Sequence, residues 1–243
     1  MRTNLIIFGT DNYNLAKNSL IKSAENYFDI IHNFSFSDID DNFYKENAEI
    51  LNQKRGAGYW LWKPYFINRI LNTIDDNDLV FYVDAGNLFL ANPNFLYNRL
   101  DENNGIILFD NRDGVMNGGA AKNFISCKKD AFVLMGCDTF KFINGVHLNA
   151  SYQIYKKNDF TLKFVKEYLE TCKNKYILTD LPNKYGENYQ GYYDHRHDQS
   201  VLSLLAIKYD IQPLVDPSEW GNKCKCRNFG QLFLHHRNRN FNL

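Results

Sequence analysis

The sequence predicts a single α/β domain of Rossmann-like type over residues 1–243, a mixed and mostly parallel sheet flanked by helices. Three observations carry that reading. Short, almost wholly apolar runs rich in β-branched and aromatic residues recur along the chain, as suits strands covered on both faces. Stretches with apolar residues at helical spacing lie between them. The most buried-looking run, Leu79 to Val83, stops abruptly in Asp84, Ala85 and Gly86. An acid at the carboxyl end of a central strand stands at the mouth of the ligand crevice in such folds, and a capping surface Asp before a turn is the plain alternative.

Composition narrows the classes. At 243 residues the chain can bury a full core, and 44% hydrophobic with 16% aromatic residues marks a folded protein. Its 28 basic residues balance 28 acidic ones, which argues against a general nucleic-acid binder. The five Cys are an odd number and only Cys224 and Cys226 lie close together, so the thiols are expected to be reduced and structural. No signal peptide is evident, and no apolar run approaches the ~20 residues of a membrane span. The expected location is the cytoplasm, free or peripherally attached to a membrane. No repeat, low-complexity block or linker divides the chain.

The elements follow in order. Leu5 to Phe8 reads as a strand, with a turn at Gly9 and Thr10 and a helix carrying Leu20, Ile21, Ala24, Tyr27 and Phe28. No Gly-x-Gly-x-x-Gly is present, so Gly9 and Thr10 are candidate ligand contacts with structural punctuation as the alternative. A second strand spans residues 29–34, and Tyr44, Ala48 and Leu51 mark a helix face. Residues 55–64, Arg-Gly-Ala-Gly-Tyr-Trp-Leu-Trp-Lys-Pro, then form a loop feeding a helix, with Pro64 in its first turn. A helix amino terminus flanked by Arg55 and Lys63 suits a diphosphate, and Tyr59 or Trp60 suits a base or sugar face; packed core aromatics and solvated cations are the alternative.

Downstream of Asp84, residues 105–109 give another buried strand ending at Asp110, and the glycine-rich residues 111–122 a mobile loop. Residues 128–140 are expected to be helical. Residues 148–155 interleave apolar and polar side chains before a helix capped by Asn158 or Asp159. Residues 174–193 read as a surface loop whose tyrosines suit an acceptor wall. Asp198 precedes a short helix at 201–207, and a strand at 231–234 leads to His235, His236, Arg237 and Arg239.

Assembled, these blocks resemble the GT-A superfamily of nucleotide-sugar glycosyltransferases, with the motif order of glycogenin-like retaining enzymes. The residues that carry the resemblance are Tyr82-Val-Asp84-Ala-Gly86, Asn149-Ala150-Ser151, Asp198-Gln199 and Leu234-His235. The Gly-Tyr-Trp-x-Trp-Lys-Pro block is similar to one in bacterial and large-virus glycan-building transferases. Two positions depart from the pattern: Gly86 stands where the family has a second metal-binding aspartate, and Ser151 replaces a glycine.

The resemblance implies transfer of a hexosyl or deoxyhexosyl group from a nucleotide sugar, UDP-linked, to a glycan hydroxyl, with retention of configuration. It implies a divalent cation, Mn²⁺ or Mg²⁺, on Asp84 and His235, with donor phosphate oxygens or Asn87 completing the shell; the alternative is that the metal is dispensable and Arg55, Lys63 and Arg237 carry the charge. Gly9, Thr10, Arg55, Tyr59, Lys63, Tyr82, Asp84 and Arg237 would face the donor nucleotide, and Asn149, Asp198 and Gln199 the reacting sugars. Two other readings compete. One is a catalytically silent sugar- or nucleotide-binding protein, kept in view by Gly86. The other is a metal-dependent phosphate-ester hydrolase built from His195, His197, Asp198, His235 and His236.

Overall fold

A computed structural model describes residues 1–112 and 119–243. Its main sheet has five strands in the order β2-β1-β3-β6-β5: β1 is Thr3–Phe8, β2 Ile30–Phe34, β3 Leu79–Val83, β5 Ile106–Asp110 and β6 Leu148–Lys156. β1 pairs parallel with β2 and β3, and β6 runs antiparallel between β3 and β5. Four strands therefore share one direction, and the expected mixed, mostly parallel α/β class holds. A separate ribbon pairs β4, Asn87–Phe89, with β7, Phe233–His235.

The apolar runs explain the layering. Every residue of β3 is buried, and its side chains alternate between two cores. Val80 and Tyr82 pack with Ile6, Phe66 and Phe164 under the helices Trp62–Thr73, Asp159–Cys172 and Asp198–Lys208. Leu79, Phe81 and Val83 pack on the opposite face with Leu20, Phe28 and Phe233, beneath the helix Asn14–Ala24 and the β4–β7 ribbon. A one-residue slip of β3 would exchange the two sets.

Several boundaries differ from expectation. The first helix ends at Ala24, so Tyr27 and Phe28 pack from the following turn. The stripe at Tyr44, Ala48 and Leu51 is split into the helices Asp41–Glu46 and Ala48–Leu51. The helix expected over residues 128–140 is only Lys129–Leu134, with Gly136 at φ 65° just beyond its end. Asn158 does cap its helix, accepting the Thr161 amide at 2.8 Å. The expected loop at 111–122 lies in part outside the described residues. Cys224 and Cys226 are joined in a disulfide, correcting the expectation of five reduced thiols. Their Cα atoms are 5.3 Å apart in a tight turn, within bonding reach, while Cys127, Cys137 and Cys172 are buried free thiols. Among the described residues no helix is long and apolar enough to cross a membrane.

Two irregularities shape the cleft described next. Between Leu108 and Phe109 the β5–β6 register jumps from Gln153 to Asn149, so Ala150, Ser151 and Tyr152 have no partner on β5. The pairing of Val83 with Tyr152 keeps that bulge attached to β3. The second is the block before the Trp62–Thr73 helix. Gly56, Ala57, Gly58, Tyr59 and Trp60 all have positive φ, at 57°, 49°, 94°, 51° and 60°. This is a left-handed turn, a conformation that costs non-glycine residues roughly 1–2 kcal/mol each. The turn is held by the Tyr59 amide on the Arg55 carbonyl (2.8 Å) and the Trp62 indole N–H on the Gly56 carbonyl (3.0 Å).

Candidate active site

A cleft of about 830 Å³ opens at the carboxyl ends of β1 and β3. The expected residues Gly9, Thr10, Arg55, Lys63, Asp84, Asp198, Gln199, His235 and Arg237 all line it, from five separate stretches of the sequence. Each is placed by a local cause. Asp84 leaves β3 with its amide bonded to the Ser151 carbonyl at 3.0 Å. The β4–β7 ribbon pairs His235 with Asn87, three residues past Asp84, and so carries the chain's end back to the cleft. Asp198 and Gln199 open the helix Asp198–Lys208, and Gln199 Oε1 accepts the amide of bulged Ala150 at 3.4 Å.

Lys63 joins these parts. Its ammonium lies 3.3 Å from Asp84 Oδ1 and 3.0 Å from Asp198 Oδ2, and donates to the Ala150 carbonyl at 3.2 Å. An ammonium has three donors, and three acceptors surround this one. Lys63 is buried at 2% exposure, 5.0 Å above the Tyr82 ring. It was expected to meet phosphate directly. With its protons engaged, it instead holds the two acids of the cleft at fixed positions. Tyr82, also expected at the ligand, is fully buried behind Asp84 and donates its hydroxyl to Asp84 Oδ1 at 2.5 Å.

The two carboxyls differ. For Asp84, burial opposes the charge, but the Lys63 ammonium and the Tyr82 hydroxyl outweigh it and leave the carboxyl below its ordinary range. For Asp198, burial prevails and pushes the carboxyl up to about 6, although Lys63 and the Tyr168 hydroxyl, 3.2 Å from Oδ2, pull the other way. Lys63 is raised, its burial being outweighed by Asp198 and Asp84. At neutral pH the trio is acid–ammonium–acid, with one net negative charge.

Three expected contacts stand elsewhere. Arg55 lines the cleft, but its guanidinium is clasped by Asp180 at 3.1 Å and Asp194 at 2.9 Å, so it is no uncommitted phosphate ligand. Asn149 turns beneath the bulge, donating to Asp216 Oδ2 at 3.0 Å and accepting the Ser151 amide at 3.0 Å; Ser151 is the residue of that motif facing the cleft. Tyr59 lies outside, in a smaller neighbouring cleft of about 230 Å³. Lys54, Arg196, Arg237 and Arg239 also face the main cleft; Arg196 lies 3.9 Å from Asp194, and Arg237 Nε–H donates to His235 Nε2 at 3.3 Å.

The donor set bears on a metal. Gly86 brings no carboxylate, and a side chain there would be crowded: a Cβ on Gly86 would lie 3.3 Å from Arg237 Cα. Asn87 is engaged inside, its amide donating to the Asp84 carbonyl and its oxygen accepting the Tyr152 hydroxyl at 2.7 Å, so it is no ligand. Among the described residues no group of three or more His, Cys, Asp or Glu side chains is placed to hold a metal. Asp84 and His235 line the same cleft and are the pair that would hold a cation together with a bound diphosphate and water, although His235 Nε2 accepts the Arg237 Nε–H at 3.3 Å. The hydrolase cluster is not assembled either. The His195 ring takes the Ile177 carbonyl and the Lys128 amide, and His236 stacks on Phe241 at 4.2 Å.

Sequence reasoning passed over Trp62, Tyr168 and Arg196. Trp62 stacks on Phe8 with centroids 3.8 Å apart and walls the cleft. The available signal was a lysine set between Trp62 and Pro64 at the head of an otherwise apolar helix stripe, a place where a cation needs buried partners.

No family model matches the chain, and no curated protein matches it. Among solved structures, the bifunctional glycosyltransferase WbbM aligns with a TM-score of 0.50 at 14% identity, over 89% of this chain. The chain spans 39% of the length of WbbM. Mouse xyloside xylosyltransferase 1 aligns at 0.49 and 8% identity over 97% of each chain. A glycosyltransferase involved in glycosylation of the major capsid of PBCV-1 aligns at 0.48 and 10% identity, over 99% of this chain and 98% of its own. At 14% identity what is shared with WbbM is the architecture: the chain has the GT-A-type glycosyltransferase fold.

Proposed function

We propose that the chain is a glycosyltransferase that moves a sugar from a UDP-linked donor to a hydroxyl of a glycan acceptor, with retention. The observation that carries this reading is the pair of carboxylates, Asp84 and Asp198, held on one buried ammonium at the floor of a cation-rimmed cleft. Breaking the donor bond leaves a diphosphate, so the largest catalytic contribution is positive charge where that group departs. Arg237 and Arg239 at the cleft rim serve that role. Asp84 and His235 would hold a divalent cation jointly with the diphosphate, and the cation would add charge to the leaving group. Gly9 and Thr10, at the end of β1, approach the nucleotide. Asp198 Oδ2 is engaged by Lys63 and Tyr168, which leaves Oδ1 to accept from a hydroxyl of the transferred sugar. Ser151 and Gln199 border the same sugar.

Thermal unfolding with UDP, UDP-sugars and other nucleotide sugars tests the proposal, because a ligand at 100 times its Kd stabilises the native state by about 2.7 kcal/mol. A UDP-sugar with Mn²⁺ is expected to raise the midpoint of the wild-type protein, EDTA to reduce the rise, and Asp84→Asn to remove most of it. Asp84→Asn should also abolish transfer while the fold survives. Silence of every nucleotide sugar, or near wild-type turnover in Asp84→Asn, removes the reading. An identical midpoint with EDTA and with Mn²⁺ removes the cation from it. Slow donor hydrolysis without acceptor separates a transferase from a silent binding protein.

A further inference from the structure

His197 precedes Asp198 and has φ 53° and ψ −119°, a backbone region that only glycine enters freely. That conformation sets its ring into the wall of the main cleft, buried at 1% exposure between Trp60 (5.5 Å, nearly parallel) and Tyr59 (4.8 Å). Its Nδ1 is 2.8 Å from the Leu178 carbonyl. A carbonyl only accepts, so Nδ1 carries the proton and Nε2 of the neutral ring is a bare acceptor. Burial pushes the imidazole down to about 4, so the ring is neutral at pH 7. Nε2 has no hydrogen-bond partner although it is buried.

The nearest charged oxygen is Asp180 Oδ1, 3.8 Å from Nε2 and beyond hydrogen-bond reach. Asp180 lines the smaller cleft with Tyr59, while His197 and Arg55 line the larger one. The Arg55–Asp180 contact is therefore the partition between the two. Two acceptors 3.8 Å apart suit a ligand that offers a proton to each. Adjacent hydroxyls of a sugar ring offer one proton to each, and aromatic rings suit the apolar face of the same sugar. Among the described residues the other such nitrogens outside the cleft lining are His147 Nε2, in the interior, and His236 Nε2, whose ring stacks on Phe241.

We propose that His197 Nε2 and the Asp180 carboxylate together bind two neighbouring hydroxyls of a pyranose, the terminal sugar of the acceptor, at the junction of the two clefts. The acceptor role rests on the glycosyltransferase reading; the diol site does not. The smaller cleft opens beside Asp180, away from Gly9, Thr10 and Arg237, where the donor nucleotide is assigned.

The test is saturation-transfer NMR and titration with methyl glucoside, methyl galactoside and methyl mannoside, each with its singly deoxygenated forms. At least one glycoside is expected to bind, and loss of either of two adjacent hydroxyls to weaken it about tenfold or more. Asp180→Asn and His197→Gln should each weaken it similarly, while the shift given by UDP is retained. Asp194→Asn removes the other acid on Arg55 and should leave glycoside binding unchanged, which separates diol recognition from loosening of Arg55. Should His197→Gln fail to fold, the half-exposed Asp180→Asn decides the matter. The site is overturned if the glycosides bind both variants as they bind wild type, or if none binds wild type while a UDP-sugar does. If the variants weaken only UDP-sugar binding, the diol belongs to the donor and the acceptor assignment is overturned. If glycosides bind through the pair and no nucleotide binds, the site stands and the donor reading falls.

Discussion

Replacing Lys63 with Met is expected to cost about 3–5 kcal/mol of unfolding free energy, because it leaves the buried Asp198 carboxyl facing the partly exposed Asp84 without their cation. The ammonium contacts Asp84, Asp198 and the Ala150 carbonyl, so the side chain, the helix start and the bulged strand all lose their common partner. Urea denaturation at pH 7 reads the loss, and a change below about 1 kcal/mol would show that the trio is not a structural hub. The double variant Lys63→Met/Asp198→Asn is expected to recover part of the loss, since the residues are coupled. The pH dependence has a definite sign. Asp198 is raised to about 6, above its ordinary 3.8, so the fold favours its protonated form, and ionising it costs stability as pH rises through that interval. Its carboxylate accepts the sugar hydroxyl in the proposed mechanism, so the transfer rate should climb with pH through a midpoint near 6. Lys63 pulls that carboxyl down, and a Lys63→Met protein with residual activity should show the climb at higher pH. A midpoint unmoved by Lys63→Met would separate Asp198 from the rate.

Gly58→Ala is the second large effect. At φ 94° an added Cβ would meet the Leu51 Cα at 2.7 Å, and backbone does not yield as a flexible side chain does. The left-handed penalty of ~1–2 kcal/mol and an overpacking cost of ~1–3 kcal/mol give about 2–5 kcal/mol. The turn also seats Trp60 against His197, so glycoside binding should weaken along with stability. Thermal unfolding and the glycoside titration measure the two consequences. A Gly58→Ala protein with the wild-type midpoint would mean that the turn can relax out of its left-handed form.

The layered sheet was legible in the sequence because a strand covered on both faces leaves an almost uninterrupted apolar run, and residues 79–83 are such a run. Asp84 and His235 were legible as ends of strands. What was not legible depends on partners far away in the chain. Lys63 looks like a phosphate ligand until Asp84 and Asp198 are seen to take its protons. Arg55 looks equally available until Asp180 and Asp194 close on it from more than a hundred residues on. The left-handed turn could not be read from two glycines alone, since Ala57, Tyr59 and Trp60 share a backbone form that their own preferences oppose. The pairing of Cys224 with Cys226 was missed because scattered, odd-numbered cysteines point to thiols, and only the local turn brings these two together.

The break in the β5–β6 ladder has a consequence for how this cleft can change. Ala150, Ser151 and Tyr152 have no backbone pairing with β5, yet β3 still anchors them through Val83. A replacement at Ser151 therefore alters the lining of the cleft, where the proposed sugar would lie, without shifting the alignment of any neighbouring strand. A position of this kind combines the tolerance of a loop with the fixed placement of a sheet, which makes it the natural point for selection, or a protein engineer, to retune sugar preference.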